Sequence, residues 1–222
     1  MLEEIKLRNL KKSLTEYATL VEAMVDQSIN GLMMKNADQL SNVITLDEPR
    51  ANAFEIEIDE MCVSIIARYQ PTGKALRSIL MVLHINSNLE RIGDHAVTIS
   101  ESSLFLITRP PVKQLIDIPR MGEVVKSMIS DSITAFIDEN ADLARSVCER
   151  DSVVDALRTQ IIRELITYMT SDPTTIERSL QLMKIAGNLE RIADLATNIC
   201  EDVIYMVKGK VIKHHQDEKG KG

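Results

Sequence analysis

The stretch Asn88-Leu89-Glu90-Arg91-Ile92-Gly93-Asp94-His95-Ala96-Val97-Thr98-Ile99-Ser100-Glu101 returns 100 residues later as Asn188-Leu189-Glu190-Arg191-Ile192-Ala193-Asp194-Leu195-Ala196-Thr197-Asn198-Ile199-Cys200-Glu201. Nine of the fourteen positions are identical, and three of those nine are carboxylates. A repeat of this length in a 222-residue chain restricts the fold to two similar units in tandem. Keeping Glu and Asp four residues apart in both copies points to a task for the acids.

The rest of the composition says what the units are built from. Aromatics make up 3% of the chain and Trp is absent, so a core drawn from 45% hydrophobic residues must be aliphatic. The abundant residues are helix formers, and eight Gly with six Pro leave little punctuation between elements. Apolar positions at helical spacing predict a first helix from Glu3 to Met34, with Asn36-Ala37-Asp38 as a turn and a new N-cap. A second pattern runs to Tyr69, with Pro49 inside it and expected to break or kink it. A third follows Pro71-Thr72-Gly73 and runs from Lys74 to Ile107, about 50 Å at 1.5 Å per residue. Thr108-Arg109-Pro110-Pro111 ends the first half. The second half repeats the plan over Pro119–Asp138, Ala141–Tyr168 and, after the start signal Ser171-Asp172-Pro173, on to Lys208. No segment reads as strand. The expectation is an all-α chain of two tandem three-helix bundles with six long helices. Its divisions are 1–107, a linker 108–118, a second bundle 119–208 and a flexible tail 209–222.

The net charge of -7, without a dense basic run, argues against nucleic acid as a partner. No signal-peptide pattern opens the chain, and no apolar run reaches the roughly 20 residues needed to cross a bilayer. Direct membrane insertion is therefore not expected. The three cysteines, Cys62, Cys148 and Cys200, are widely spaced and read as reduced, mostly buried thiols.

Helical geometry places the acids. At about 100° per residue, Leu89, Ile92, Ala96 and Ile99 form a core stripe. Glu90, Asp94 and Glu101 fall within about 40° of one another on nearly the opposite side. Glu190, Asp194 and Glu201 repeat the ladder. A second pair, Asp151 and Asp155, lies near the start of the fifth helix, and Glu48 with Asn52 takes the equivalent place in the first half. Facing pairs on neighbouring antiparallel helices would make an oxygen-ligand cluster suited to hard cations. Asn52 in place of Asp leaves the first set with three formal charges against four. Exposed acids on a helix are ordinarily solvated or paired with neighbours such as Arg91 and Arg191, and the duplication is what lifts these above that default. His95 has Leu195 as its counterpart and reads as structural or surface. His84 reads as a partly buried, satisfied histidine, and His214 with His215 as part of a solvated tail.

These residues resemble the PhoU family of phosphate-specific transport system accessory proteins. The resemblance covers nearly the whole chain. It is strongest over Leu89-Glu90-Arg91-Ile92-Gly93-Asp94-His95-Ala96 and Leu189-Glu190-Arg191-Ile192-Ala193-Asp194, with support from Tyr168-Met169-Thr170-Ser171-Asp172-Pro173 and Ile204-Tyr205-Met206-Val207-Lys208-Gly209. It implies a cytoplasmic homodimer, peripheral to the inner membrane through its partners. It implies a negative regulator of phosphate uptake and of the Pho regulon, without catalysis, linking the ATPase subunit of the phosphate ABC transporter to a sensor histidine kinase. It also implies bound iron, manganese, magnesium or zinc, with the metal motifs mapping onto Glu90 with Asp94, Glu190 with Asp194, Asp151 with Asp155, and Glu48 with Asn52. Two other functions compete. A ferritin-like carboxylate-bridged metalloenzyme would need Glu-x-x-His pairs aimed into a bundle core, and none occurs. An accessory protein of a different ion transporter would carry the same fold.

Overall fold

The computed structural model describes residues 2–208; the tail expected at 209–222, with His214 and His215, lies outside the described residues. Every element among them is helical: α1 (Leu2–Met34), α2 (Ala37–Asn42), a π-helical turn (Val43–Asp47), α3 (Glu48–Tyr69), α4 (Gly73–Ile107), α5 (Asp117–Ile137), α6 (Ala141–Ser171), a 3₁₀ turn (Pro173–Thr175) and α7 (Ile176–Lys208). Six of the helices are long. α1, α3 and α4 form one three-helix bundle, and α5, α6 and α7 form the other.

The two halves turn their first corner with the same device. Lys35 adopts a left-handed φ of 52° and Glu139 one of 51°. The amide of the next residue donates to the carbonyl five residues back in each case, Asn36 to Gly31 and Asn140 to Ala135, both at 2.9 Å. This Schellman closure satisfies carbonyls that the helix end would orphan. The same asparagines then cap the helices that follow. The side chain of Asn36 accepts from the Gln39 amide, and that of Asn140 accepts from the amides of Asp142 and Leu143.

The run from Ala37 to Tyr69 was expected to break or kink at Pro49, and the structure shows a local widening there. Pro49 has no amide to give to the carbonyl of Thr45. The chain widens into a π-helical turn just upstream, where the amide of Glu48 reaches back to the Val43 carbonyl, and Pro49 falls in the first turn of α3. Helical direction is kept while the missing donor is absorbed. Further on, the Asp172 carboxylate accepts from both the amide and the hydroxyl of Thr174, with Pro173 opening the turn, as the Ser171-Asp172-Pro173 signal predicts.

The bundles do not keep separate cores. Leu89, Ile92, Ala96 and Ile99 are buried, as are Leu189, Ile192, Ala196 and Ile199, and they belong to one continuous apolar cluster. α4 packs along α7, and α1 along α5. At about 25 cal/mol per Å² of apolar surface removed from water, this shared contact adds to the stabilisation within each bundle. Polar links trim it: Lys126 meets Asp26 at 2.8 Å between α5 and α1, and His95 meets Asn188 at 2.8 Å between α4 and α7. His95 is thus an inter-bundle hydrogen-bonding residue. His84 has a partner too, Asp202 on α7 at 3.4 Å, and its side chain is largely exposed.

Two helical glycines are expected to respond oppositely to alanine. A Cβ on Gly31 would stand 2.6 Å from both Cγ and Cδ2 of the buried Leu40, whereas one on Gly187 meets nothing within 4 Å. Gly31→Ala should lower stability by about 1–2 kcal/mol, overpacking outweighing helix propensity. Gly187→Ala should raise it by about 0.5–1 kcal/mol. Thermal melts of both variants check this, and shifts of the same sign would contradict it.

Candidate functional site

The acid ladders lie along two seams, one between α3 and α4 and one between α6 and α7. Glu90 and Glu190 are half-buried, while Asp94 and Asp194 are exposed. The ladders are therefore not a fully solvated back face, as the helical projection suggests. A neighbouring helix covers one flank of each, because a three-helix bundle buries more of a helix than its apolar stripe alone.

In the second seam, the four expected residues line the same stretch of the α6–α7 contact. Arg158 on α6 pairs with Glu190 on α7 at 3.4 Å, which sets the level of the two antiparallel helices. Partial burial raises the Asp194 carboxyl above its ordinary range, and the charges of Asp151 and Asp155 raise it further, with Arg158 and Arg191 opposing. Asp151 is half-buried and Asp155 exposed.

In the first seam, the partner of the α4 acids is a residue the sequence reading did not select. Burial raises Glu90, with the charges of Asp94 and then Glu55 adding to the rise and Arg91 opposing it. Glu55 therefore shares the field of Glu90 and Asp94. Its neighbour Asp59, one turn on, accepts a 2.9 Å hydrogen bond from the Asn86 side chain, and Asn86 also donates to the Glu55 carbonyl at 2.9 Å. Glu48 is the first residue of α3, and Asn52 is exposed on it. The 100-residue offset of the repeat maps Asp155 onto Glu55 and Asp151 onto Ala51, so the offset itself was the signal for Glu55. Beneath this seam lies Tyr17, fully buried and stacked on Phe54 at 5.7 Å, with a hydroxyl that has no hydrogen-bond partner. Burial raises its phenol, and Glu55, Glu90 and Asp94 add to the rise.

These seams are concentrations of negative charge which a cation would relieve. Among the described residues, no three His, Cys, Asp or Glu side chains are gathered closely enough to hold a metal ion. Arg158 supplies part of the compensation in the second seam.

Two three-helix bundles with a merged core and repeated acidic seams define an all-helical tandem-repeat protein. Residues 14–103 and 118–203 each match the PhoU domain, one match per bundle, and the chain belongs to the PhoU family. The resemblance drawn from the two ladder motifs is thereby borne out. The phosphate-specific transport system accessory protein PhoU homolog of Aquifex aeolicus is 38% identical over 216 residues, spanning 97% of each chain. The corresponding homolog of Pseudomonas aeruginosa is 35% identical over 94% of this chain and 86% of its own length. The crystal structure of PhoU from Pseudomonas aeruginosa superposes with a TM-score of 0.89 at 34% identity, covering 93% of this chain and 99% of that one. That of the phosphate transport system regulatory protein PhoU from Streptococcus pneumoniae gives 0.87 at 25% identity, covering 96% and 100%.

The raised carboxyls have a signed consequence. A carboxyl whose folded pKa lies above its unfolded value binds its proton more tightly when folded. Stability is then lost as pH rises from the ordinary carboxylate value through the raised one. Glu90→Gln and Asp194→Asn remove that cost. Both variants should melt higher than the parent at neutral pH, by roughly a degree or two given solvent screening. The gain should vanish below the ordinary carboxylate range. A gain that persisted in acid would show that charge is not its source.

Proposed function

We propose that this protein is a negative regulator of phosphate uptake and of phosphate-starvation signalling. It acts as a non-catalytic adaptor, in the cytoplasm and as a homodimer, between the ATPase subunit of the phosphate ABC transporter and a sensor histidine kinase. The observation that carries this reading is family membership over both bundles, with relatives named as phosphate transport accessory proteins aligned along nearly the full chain. The architecture supports it. An adaptor needs broad stiff faces, and helices of 33 and 35 residues packed on one core supply them. Among the described residues no helix is long and apolar enough to cross a membrane, so contact with one would run through partners. The ferritin-like reading gains no support, because the acids lie on seams open to solvent instead of inside a bundle core.

Capture from detergent-solubilised native membranes should retain the transporter ATPase and the sensor kinase, and loss of the protein should derepress starvation genes in high phosphate. Retention of neither partner, or repression that survives deletion, would overturn the reading.

Metal at the seams is the finer part of the proposal, supported by the like-charge crowding of Asp194 with Asp151 and Asp155. Loading would have to draw these carboxylates together. Titration of the full chain with Mn²⁺ should give binding that falls by about half in a Glu190→Gln, Asp194→Asn double variant, since each seam contributes comparably. A parent protein that takes up no Mn²⁺ would remove the metal while leaving the adaptor reading in place.

A further inference from the structure

Two of the three cysteines meet. Cys148 lies on α6 and is half-buried, and Cys200 lies on α7 and is fully buried. Their thiols are close enough across the helix pair to perturb each other's ionisation, lowering Cys148 and raising Cys200. The helix register puts them there independently. From the Arg158–Glu190 contact, Cys148 is ten residues back along α6 and Cys200 is ten residues forward along α7. On antiparallel helices both therefore stand at one level, about 15 Å from that ion pair. The pair belongs to the second half only, since the 100-residue offset places Glu48 and Ser100 at the matching positions. Cys62 is buried in the first bundle, and its thiol is pushed up to about 12 by burial first and then by Asp59.

We propose that Cys148 and Cys200 form a two-thiol redox site, oxidised by hydrogen peroxide to an intramolecular disulfide that ties α6 to α7. Cys148 reaches solvent and reacts first. Its sulfur, as thiolate, attacks one peroxide oxygen, and the O–O bond breaks. Sulfur becomes a sulfenic acid, and the departing hydroxide takes up the proton shed by the thiol as water. The Cys200 sulfur then attacks the sulfenic sulfur. The S–S bond forms, the S–O bond breaks, and the hydroxyl leaves with the Cys200 proton as a second water. Two thiols give up two electrons and two protons, and one peroxide is reduced to two waters. In a reducing compartment the bond reverts by thiol exchange, for which Cys148 offers the open flank. Because Asp151 follows Cys148 by one turn and Glu201 follows Cys200 directly, the cross-link would clamp the second acidic seam at one end. None of this depends on the identity of the adaptor's partners.

The test is treatment of the purified full chain with hydrogen peroxide, followed by alkylation under denaturing conditions and peptide mapping without reductant. The expected product is a monomer lighter by about 2 Da, the loss of two thiol hydrogens, that alkylates only at Cys62 and yields a Cys148–Cys200 linked peptide. It should melt several degrees higher, and dithiothreitol should reverse the shift. Cys200→Ala, shown by circular dichroism to stay helical, should accumulate a Cys148 sulfenic acid trapped by dimedone. Mapping of the unsubstituted protein decides the matter even if that variant does not fold. Three thiols still alkylated, a Cys148 disulfide between two chains, or Cys148 carried to sulfinic acid without a linked peptide would each overturn the proposal.

Discussion

Everything else in this molecule depends on the burial of one repeated apolar stripe against its own copy. Leu89, Ile92, Ala96 and Ile99 on α4, with their counterparts on α7, close the centre of a core that neither three-helix bundle encloses alone. Sharing the longest helices removes far more apolar surface from water than two isolated bundles would. It also fixes the level of α4 against α7, and with it the position of every acid that the repeat carries. The hydrogen bond between His95 and Asn188 contributes little to this by magnitude, but it requires one register, because a shift would strand a polar group among apolar neighbours.

Much of the fold was legible because helix periodicity and end signals are local. Asn36, Asp172 and Pro173 act where their chemistry says they should, and α4 ends at Ile107 ahead of the Pro-Pro pair. Pro49 was legible as a disturbance and not as an outcome. Whether a helix breaks or widens is decided by what packs around it, and Val43 is buried while Asp47 is held by Gln27 and Arg50. The α4 and α7 acids were found from sequence because the duplication marks them. Their α3 partner Glu55 was not, because the i, i+4 spacing also fits Glu48 with Asn52, which lie two turns and one turn before it on the same helical face. The offset that marks Glu90 also marks Glu55, and only the antiparallel pairing of helices makes that offset decisive. Arg158 carries no repeat signal at all, its counterpart being Ile58. A compensating charge of that kind is visible only in three dimensions.

The seams combine two opposed requirements. Partial burial of Glu90 and Asp194 beside other carboxylates costs stability at neutral pH, yet it concentrates negative potential where side chains can still move. A site optimised for folding would have replaced these acids with apolar or neutral residues. Their retention in both copies of one chain fits a surface shaped by what must bind there. The unsatisfied hydroxyl of Tyr17 beneath the first seam belongs to the same pattern of stability given up at one place.

The antiparallel pairing of α4 with α7 has a consequence for symmetry. The contacts His84–Asp202 and His95–Asn188 bring Ile92 level with Ile192, its own copy in the repeat. Two antiparallel helices with equivalent residues at their crossing are related by an approximate dyad perpendicular to both. A single chain thus presents a nearly palindromic surface, with both acidic seams on one side of it. A two-fold partner would meet almost the same residues in either of two orientations. The choice between them must rest on exposed positions where the halves differ, such as Asn52 against Ser152, Asp59 against Thr159 and Glu60 against Gln160.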